Sequence, residues 1–213
     1  LDLVPIIEKI INDCPKVEKL IILCSKSDLP STQFSNVISY EELLSLGNEN
    51  FEWMSGEETD ACGICYTSGT TGNPKGVVYT HRSNTLHALT QAAPDMLNLS
   101  STDTIMPVVP LFHANGWSIA YTAPLVGSAI VFPGGDLSPS SLYSMLEKGV
   151  TITAAVPTVW LLLLNFLKSE KKELSSLKRV VIGGSSCPRS VIEDFQNIYG
   201  VRVLHAWGMT ELS

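Results

Sequence analysis

The feature that most restricts the fold is a repeated switch between two hydrophobic periods. Short, mainly apolar runs rich in β-branched residues alternate with longer segments of helical spacing. Strands read at 18–24, 61–67, 77–79, 104–109, 151–156, 179–182 and 201–205. Helices read at 83–97, 158–167 and 188–199, the last closed by Gly200. Two more start at capping signals. Ser39 with Glu42 opens a helix through Leu46, and Ser138 followed by Pro139 opens one that Gly149 stops. Strands that are apolar on both sides cannot leave either face of a sheet in water. The expected fold class is therefore α/β: layered, mainly parallel sheets with helices on both faces. In such sheets ligands gather beyond the C-terminal ends of the strands. Three polar or glycine-rich loops are expected there, at 67–76, 183–186 and 206–211.

Charge and cysteine content remove several function classes. Lys plus Arg is 14 against 21 Asp plus Glu, a net charge of −7. That balance disfavours a nucleic-acid partner, which needs clustered cations to neutralise phosphates. It still allows a small anion held by backbone N–H groups and one or two lysines. Five cysteines are too few, and odd in number, for a disulfide scaffold, so a reducing, cytoplasmic compartment is expected. No basic-then-apolar leader opens the chain, and both ends read as cuts. The uncharged stretch 150–167 approaches spanning length, but Pro157 divides a strand-like half from a helix-like half, so no transmembrane segment is expected.

The densest chemical signal is Tyr66-Thr-Ser-Gly-Thr-Thr-Gly-Asn-Pro-Lys-Gly76. Gly69 and Gly72 permit close backbone approach, Thr67, Ser68, Thr70 and Thr71 supply hydroxyls, and Lys75 supplies a cation. That set suits a polyphosphate. It is not a Walker A loop, because Asn73 and Pro74 separate the second glycine from the lysine. A solvated turn between two strands is the competing reading. Elsewhere, Cys62-Gly-Ile-Cys65 has no second ligand pair, and strand alternation should put its two thiols on opposite sides, so neither zinc nor redox chemistry is expected. Ser185 and Ser186 read equally as a cap for the helix at Pro188. No G-x-S-x-G elbow is present for a serine hydrolase.

Segment 66–76 resembles the phosphate-binding signature of the adenylate-forming (AMP-binding) superfamily. His205-Ala-Trp-Gly-Met-Thr-Glu211 is similar to its aromatic-Gly-x-Thr-Glu motif, and Gly183-Gly-Ser185 follows a strand as in that family. The runs 109–117, 156–160 and 184–190 resemble medium- and long-chain fatty acyl-CoA synthetases, with the methylmercaptopropionate enzyme a near relative. The resemblance implies ATP-dependent activation of a carboxylic acid. The carboxylate attacks the α-phosphorus to give acyl-AMP and pyrophosphate, and coenzyme A then displaces AMP to give a thioester.

The resemblance also implies roles. Thr67, Ser68, Gly69, Thr70, Thr71, Gly72 and Lys75 would hold the phosphates, and Thr67 with Glu211 would hold Mg²⁺. Thr210 would contact the α-phosphate. Trp207, in place of the usual Tyr, would stack on adenine beside Gly183, Gly184, Ser185 and Gly208, while His205 and Ala206 would line the nucleotide or acyl pocket. His113 would orient the reacting carboxylate, and Trp117, on the same helix face, would meet the acyl chain with Gly184. The expected partners are a small carboxylic acid, ATP and coenzyme A, and a homodimer stays open. Residues 1–213 would be a partial large domain lacking the C-terminal lid with its lysine, and the ribose-binding Asp, so this piece alone is expected to have little activity. Other adenylate-forming enzymes for aryl, short-chain or methylmercaptopropionate acids remain alternatives, as does a non-catalytic nucleotide-binding fragment. An amino-acid substrate is disfavoured because no Asp lies between Phe112 and Phe132.

Overall fold

The computed structural model describes residues 3–67 and 72–212. The chain divides into two compact units, Leu1–Ser55 and Gly56–Ser213.

In the first unit, helix α1 (Val4–Ile10) carries Pro5 in its opening turn, where a missing N–H costs nothing. Strands β1 (Leu20–Ile22) and β2 (Val37–Ser39) pair in parallel, Leu20 opposite Val37. Ser39 then caps α2 (Tyr40–Ser45), its hydroxyl accepting the Glu42 N–H at 3.2 Å. The capping box expected there is only half formed, because the Glu42 carboxylate instead meets Lys26 Nζ at 3.1 Å. Strand β2 had no clear sequence signal, being three residues long.

The second unit opens with β3 (Ala61–Thr67) and β4 (Lys75–Thr80), an antiparallel pair that forms its own sheet. The expectation that loop 67–76 ends a strand of the parallel sheet is therefore corrected. The connection is too short for a parallel crossover, so the chain turns straight back. Thr80 and Ser83 close a reciprocal capping box on α3 (His81–Ala92). That helix stops well short of residue 97, because Pro94 drives Ala93 into extended backbone.

Five parallel strands follow in the order β6-β5-β7-β8-β9: β5 (Thr104–Pro107), β6 (Ala129–Ile130), β7 (Ile152–Ala155), β8 (Arg179–Ile182) and β9 (Arg202–His205). Crossovers are made by α4 (Ile119–Val126), α5 (Pro139–Leu146), α6 (Pro157–Ser169) and α7 (Arg189–Asn197). Neighbouring strand residues serve opposite faces, as the pleat requires. Met106, Val180 and Ile182 pack with Leu142, Trp160, Leu163 and Phe195 of α5, α6 and α7. Ile105, Ile152 and Val181 pack with Ile119 and Ala123 of α4 on the other side. The expected covered, parallel α/β sheet is what the second unit contains. Helix α4 and strand β6 were not read from sequence. Ser138 caps α5 with Pro139 in its first turn, as expected. Helix α7, by contrast, starts from Pro188 with no side-chain cap, so Ser185 and Ser186 do not cap it.

The N-terminal edge of this sheet is pinned by charge. Asp103, just before β5, accepts the Thr151 hydroxyl at 2.7 Å and the Ser100 N–H at 3.1 Å. Nη2 of Arg179, the first residue of β8, lies 2.7 Å from the same carboxylate as a charge contact rather than an aligned hydrogen bond. Three adjacent strands are thus fixed in register. The run 150–167 is split at Pro157 between β7 and α6. Among the described residues no helix is long and apolar enough to cross a membrane.

Candidate functional site

Strands β5, β8 and β9 all release the chain at one edge of the sheet, and there it forms a cavity of about 180 Å³. Gly183 and Gly184 follow β8, and Ala206, Trp207 and Gly208 follow β9. The Ala206 N–H donates to the Ile182 carbonyl at 2.8 Å, which carries the β8–β9 pairing up to the rim. A Cβ on Gly183 would stand 3.1 Å from the Ala206 carbonyl oxygen and 3.1 Å from the Trp117 indole. Glycine lets these three segments approach this closely without displacing any of them.

His113 and Trp117 reach the cavity by an unexpected backbone path. Residues 114–118 all have positive φ, between 44° and 62°, and make one left-handed turn. The expectation that His113 and Trp117 share a face of an ordinary helix is corrected: His113 is extended, and Trp117 lies within the left-handed turn. Both still line the cavity. Four of the five residues are not glycine, and each such residue costs about 1–2 kcal/mol in this region. Strain of this kind persists where surrounding contacts over-determine it, and such places are often functional.

Helix α3 provides much of that restraint. Gln91 is buried, and its amide donates to the Trp117 carbonyl at 2.7 Å. Its oxygen accepts the Thr122 hydroxyl at 3.0 Å. Since a carbonyl can only accept, the amide nitrogen must face Trp117, and its second proton points to His87 Nε2 at 3.0 Å. Burial pushes the His87 pKa down, which favours the neutral ring that can accept at that nitrogen. From the other side, the Cys65 thiol makes a weak 3.9 Å bond to Asn115 Oδ1. A bulge in β3 between Ala61 and Gly63 breaks strict alternation. On the same strand Cys62 Sγ accepts the Asn84 amide at 3.1 Å, and burial, followed by Cys62 and Cys65, raises the Tyr121 pKa.

A second group of anticipated residues gathers around the hairpin. Thr67 ends β3 opposite Lys75, which begins β4 and is exposed. Tyr79 on β4 is 1% exposed and donates its hydroxyl to the Thr210 carbonyl at 2.7 Å. This single bond ties the Thr210–Glu211 segment to the hairpin. Burial first, then the Cys65 thiol and the Glu211 carboxylate, push the Tyr79 pKa up to about 12. Tyr79→Phe is expected to lower the unfolding free energy by about 1–3 kcal/mol in urea at pH 7, because a buried carbonyl loses its donor. The phenol's folded pKa lies above its ordinary value of 10, so its stabilisation is whole below pH 10 and is lost as pH rises through about 12. The Phe variant should lack that alkaline decline.

The cavity therefore unites His113, Trp117, Gly183, Gly184, Ala206, Trp207 and Gly208. Ser185 and His205 are exposed beside it, and Trp207 is 81% exposed at its mouth. Ser68, Gly69, Thr70 and Thr71 lie outside the described residues, and Gly72 follows them. Sequence reading missed His87, Gln91, Met96 and Leu97, which line the cavity from α3 and the segment after it. The pair at i and i+4 looked like an ordinary solvated helix face, because nothing local shows what covers it.

The AMP-binding enzyme family matches residues 5–213. Among curated proteins, the chain is 49% identical over 210 residues to a medium-chain-fatty-acid–CoA ligase of Ectopseudomonas oleovorans, covering 98% of this chain and 38% of that protein. It is 42% identical over 213 residues to a long-chain-fatty-acid–CoA ligase of Thermus thermophilus, again 38% of that protein. The chain thus spans well under half the length of these relatives. Among solved structures, a long-chain-fatty-acid-CoA ligase from Archaeoglobus fulgidus superposes with a TM-score of 0.76 at 28% identity, over 96% of this chain and 45% of that one. With the family matched over nearly its whole length, the chain belongs to the AMP-binding enzyme family.

Proposed function

We propose that the protein carrying these residues activates a medium- or long-chain fatty acid with ATP, forming acyl-AMP and pyrophosphate, and then transfers the acyl group to coenzyme A. The observation that carries this reading is the cavity at the ends of β5, β8 and β9. It joins residues from three separately recognised motifs, and its lining is mainly apolar, including Met96, Leu97, Ile119 and Val181. An apolar recess with a few polar groups at its mouth suits an aliphatic acid whose carboxylate stays near the surface.

In this reading His113, exposed at the rim, orients the carboxylate, and Trp117 with Gly184 borders the acyl chain. Trp207 offers its open indole face to adenine beside Gly183, Gly184, Ser185 and Gly208, with His205 and Ala206 alongside. Thr67 to Gly72 and Lys75 hold the phosphates and neutralise charge as pyrophosphate leaves, and Thr210 contacts the α-phosphate. Glu211 and the Thr67 hydroxyl are a carboxylate and a neutral oxygen, the hard donor pair that suits Mg²⁺, which keeps most of its waters. When bound, that ion would neutralise phosphate charge. Among the described residues no three His, Cys, Asp or Glu side chains cluster, so a closed structural metal cage is not the alternative. The protein's own groups position two anionic reactants in line, which lowers the entropic part of the barrier. Five free cysteines fit a reducing cytoplasm.

The test is acid-dependent ATP–pyrophosphate exchange by the natural polypeptide that carries these residues, across fatty, aryl and amino acids. Exchange with fatty acids is expected, and Lys75→Ala should lower it by about 10²- to 10³-fold. Exchange dependent on aryl or amino acids alone would overturn the assignment.

A further inference from the structure

The left-handed turn at 114–118 is a backbone state that its own sequence does not favour, yet it decides where the Trp117 indole stands. That indole lies within 3.1–3.5 Å of the space a Gly183 side chain would fill and 3.9 Å from that of Gly184. A small rotation of the Trp117 backbone would therefore change the width of the cavity. The turn is roofed by α3, and Gln91 is the side chain that joins the two. Its amide is spent on the Trp117 carbonyl, and its oxygen on Thr122, whose hydroxyl also reaches the Ser118 carbonyl at 3.0 Å. Both ends of one buried amide thus act on the last two residues of the turn.

We propose that Gln91 is a positioning residue that sets acyl-chain selectivity by fixing the left-handed turn and, through it, the Trp117 wall of the cavity. Gln91 lines the cavity but need not touch the reacting atoms; it acts through Trp117. The inference rests on the fatty-acid reading above and deepens it. A rigid wall discriminates between acids that differ by a methylene, and one such group is worth about 10- to 200-fold in a fitted apolar pocket. A wall free to move gives up part of that discrimination, because shorter and longer chains are met by different positions of the same indole. ATP recognition, at Trp207 and the phosphate loop, should be little affected.

The experiment compares kcat/KM for straight-chain saturated acids from butyrate to palmitate in the natural polypeptide and two variants. Gln91→Leu keeps the side chain's size and removes its hydrogen bonds to Trp117, Thr122 and His87. Thr122→Val removes only the hydroxyl that orients Gln91, and serves if the first variant folds poorly. The preference for the best acid over its neighbours in the series is expected to fall about tenfold in Gln91→Leu, and in the same direction but less in Thr122→Val. KM for ATP should stay within about twofold. A uniform loss of kcat with the chain-length profile preserved in both variants would overturn the inference and leave Gln91 merely structural. A parent protein inactive toward every fatty acid would instead overturn the underlying reading, and the inference with it.

Discussion

Asp103→Asn lowers the unfolding free energy by about 3–5 kcal/mol at pH 7, because it leaves the Arg179 guanidinium without its charge partner at a largely buried position. Asp103 is 6% exposed, and Arg179 has already given up most of its hydration. Burial by itself would raise the Asp103 pKa. The Thr151 hydroxyl, the Arg179 charge and the Ser100 amide outweigh it, and the carboxyl titrates below its ordinary value. The sign follows from linkage. A depressed carboxyl contributes stability that is present above its unfolded pKa and is lost as pH falls through its folded pKa. Urea denaturation should therefore separate wild type and variant fully at neutral pH. The gap should close as pH drops below about 4. A gap independent of pH would mean that the carboxylate's charge has no part in fixing the strands.

Trp160→Ala has an effect of similar size with a different cause and no such pH dependence. The side chain is fully buried between α6 and the sheet, its ring edge-on to Phe195 at 5.8 Å between centroids. Its indole N–H donates to the Val181 carbonyl at 3.3 Å. Truncating a buried Trp to Ala costs about 3–5 kcal/mol through lost burial and the cavity left behind. A fall in the urea midpoint at unchanged slope is the expected readout. Val181 lines the cavity on the opposite face, so the change should also lower the hydrogen-exchange protection of that strand. A loss below about 0.5 kcal/mol, the size typical of a surface change, would place α6 elsewhere.

Much of the candidate site was legible because its signals are local. Gly183-Gly184 announces close backbone approach, whereas the anion expected at the 66–76 run rests on its hydroxyls, glycines and lysine alone. The strands were legible for the same reason: 152–155 and 179–182 are short, mainly apolar and bounded by clear breaks. What failed to show was of another kind. Nothing in Ala-Asn-Gly-Trp-Ser points to five successive positive φ values, since only the asparagine and the glycine visit that region readily. Gln91 and His87 looked like polar residues on a solvated face, and Tyr79 looked like any strand tyrosine, until Thr210, remote in sequence, supplied its acceptor. Asp103 and Arg179 carried no signal at all, because each becomes a partner only when β5 and β8 stand on either side of β7.

The sequence by itself determined the alternation of elements, the covered parallel sheet and the family to which the chain belongs, because those follow from hydrophobic period and from residues adjacent in the chain. The tertiary structure alone decided the antiparallel hairpin standing apart from that sheet, the left-handed turn, and the polar side chains that hold them. Each of these is a local conformation or a buried polar group that is unfavourable in isolation. It becomes stable only when distant residues arrive to compensate the strain or the lost hydration.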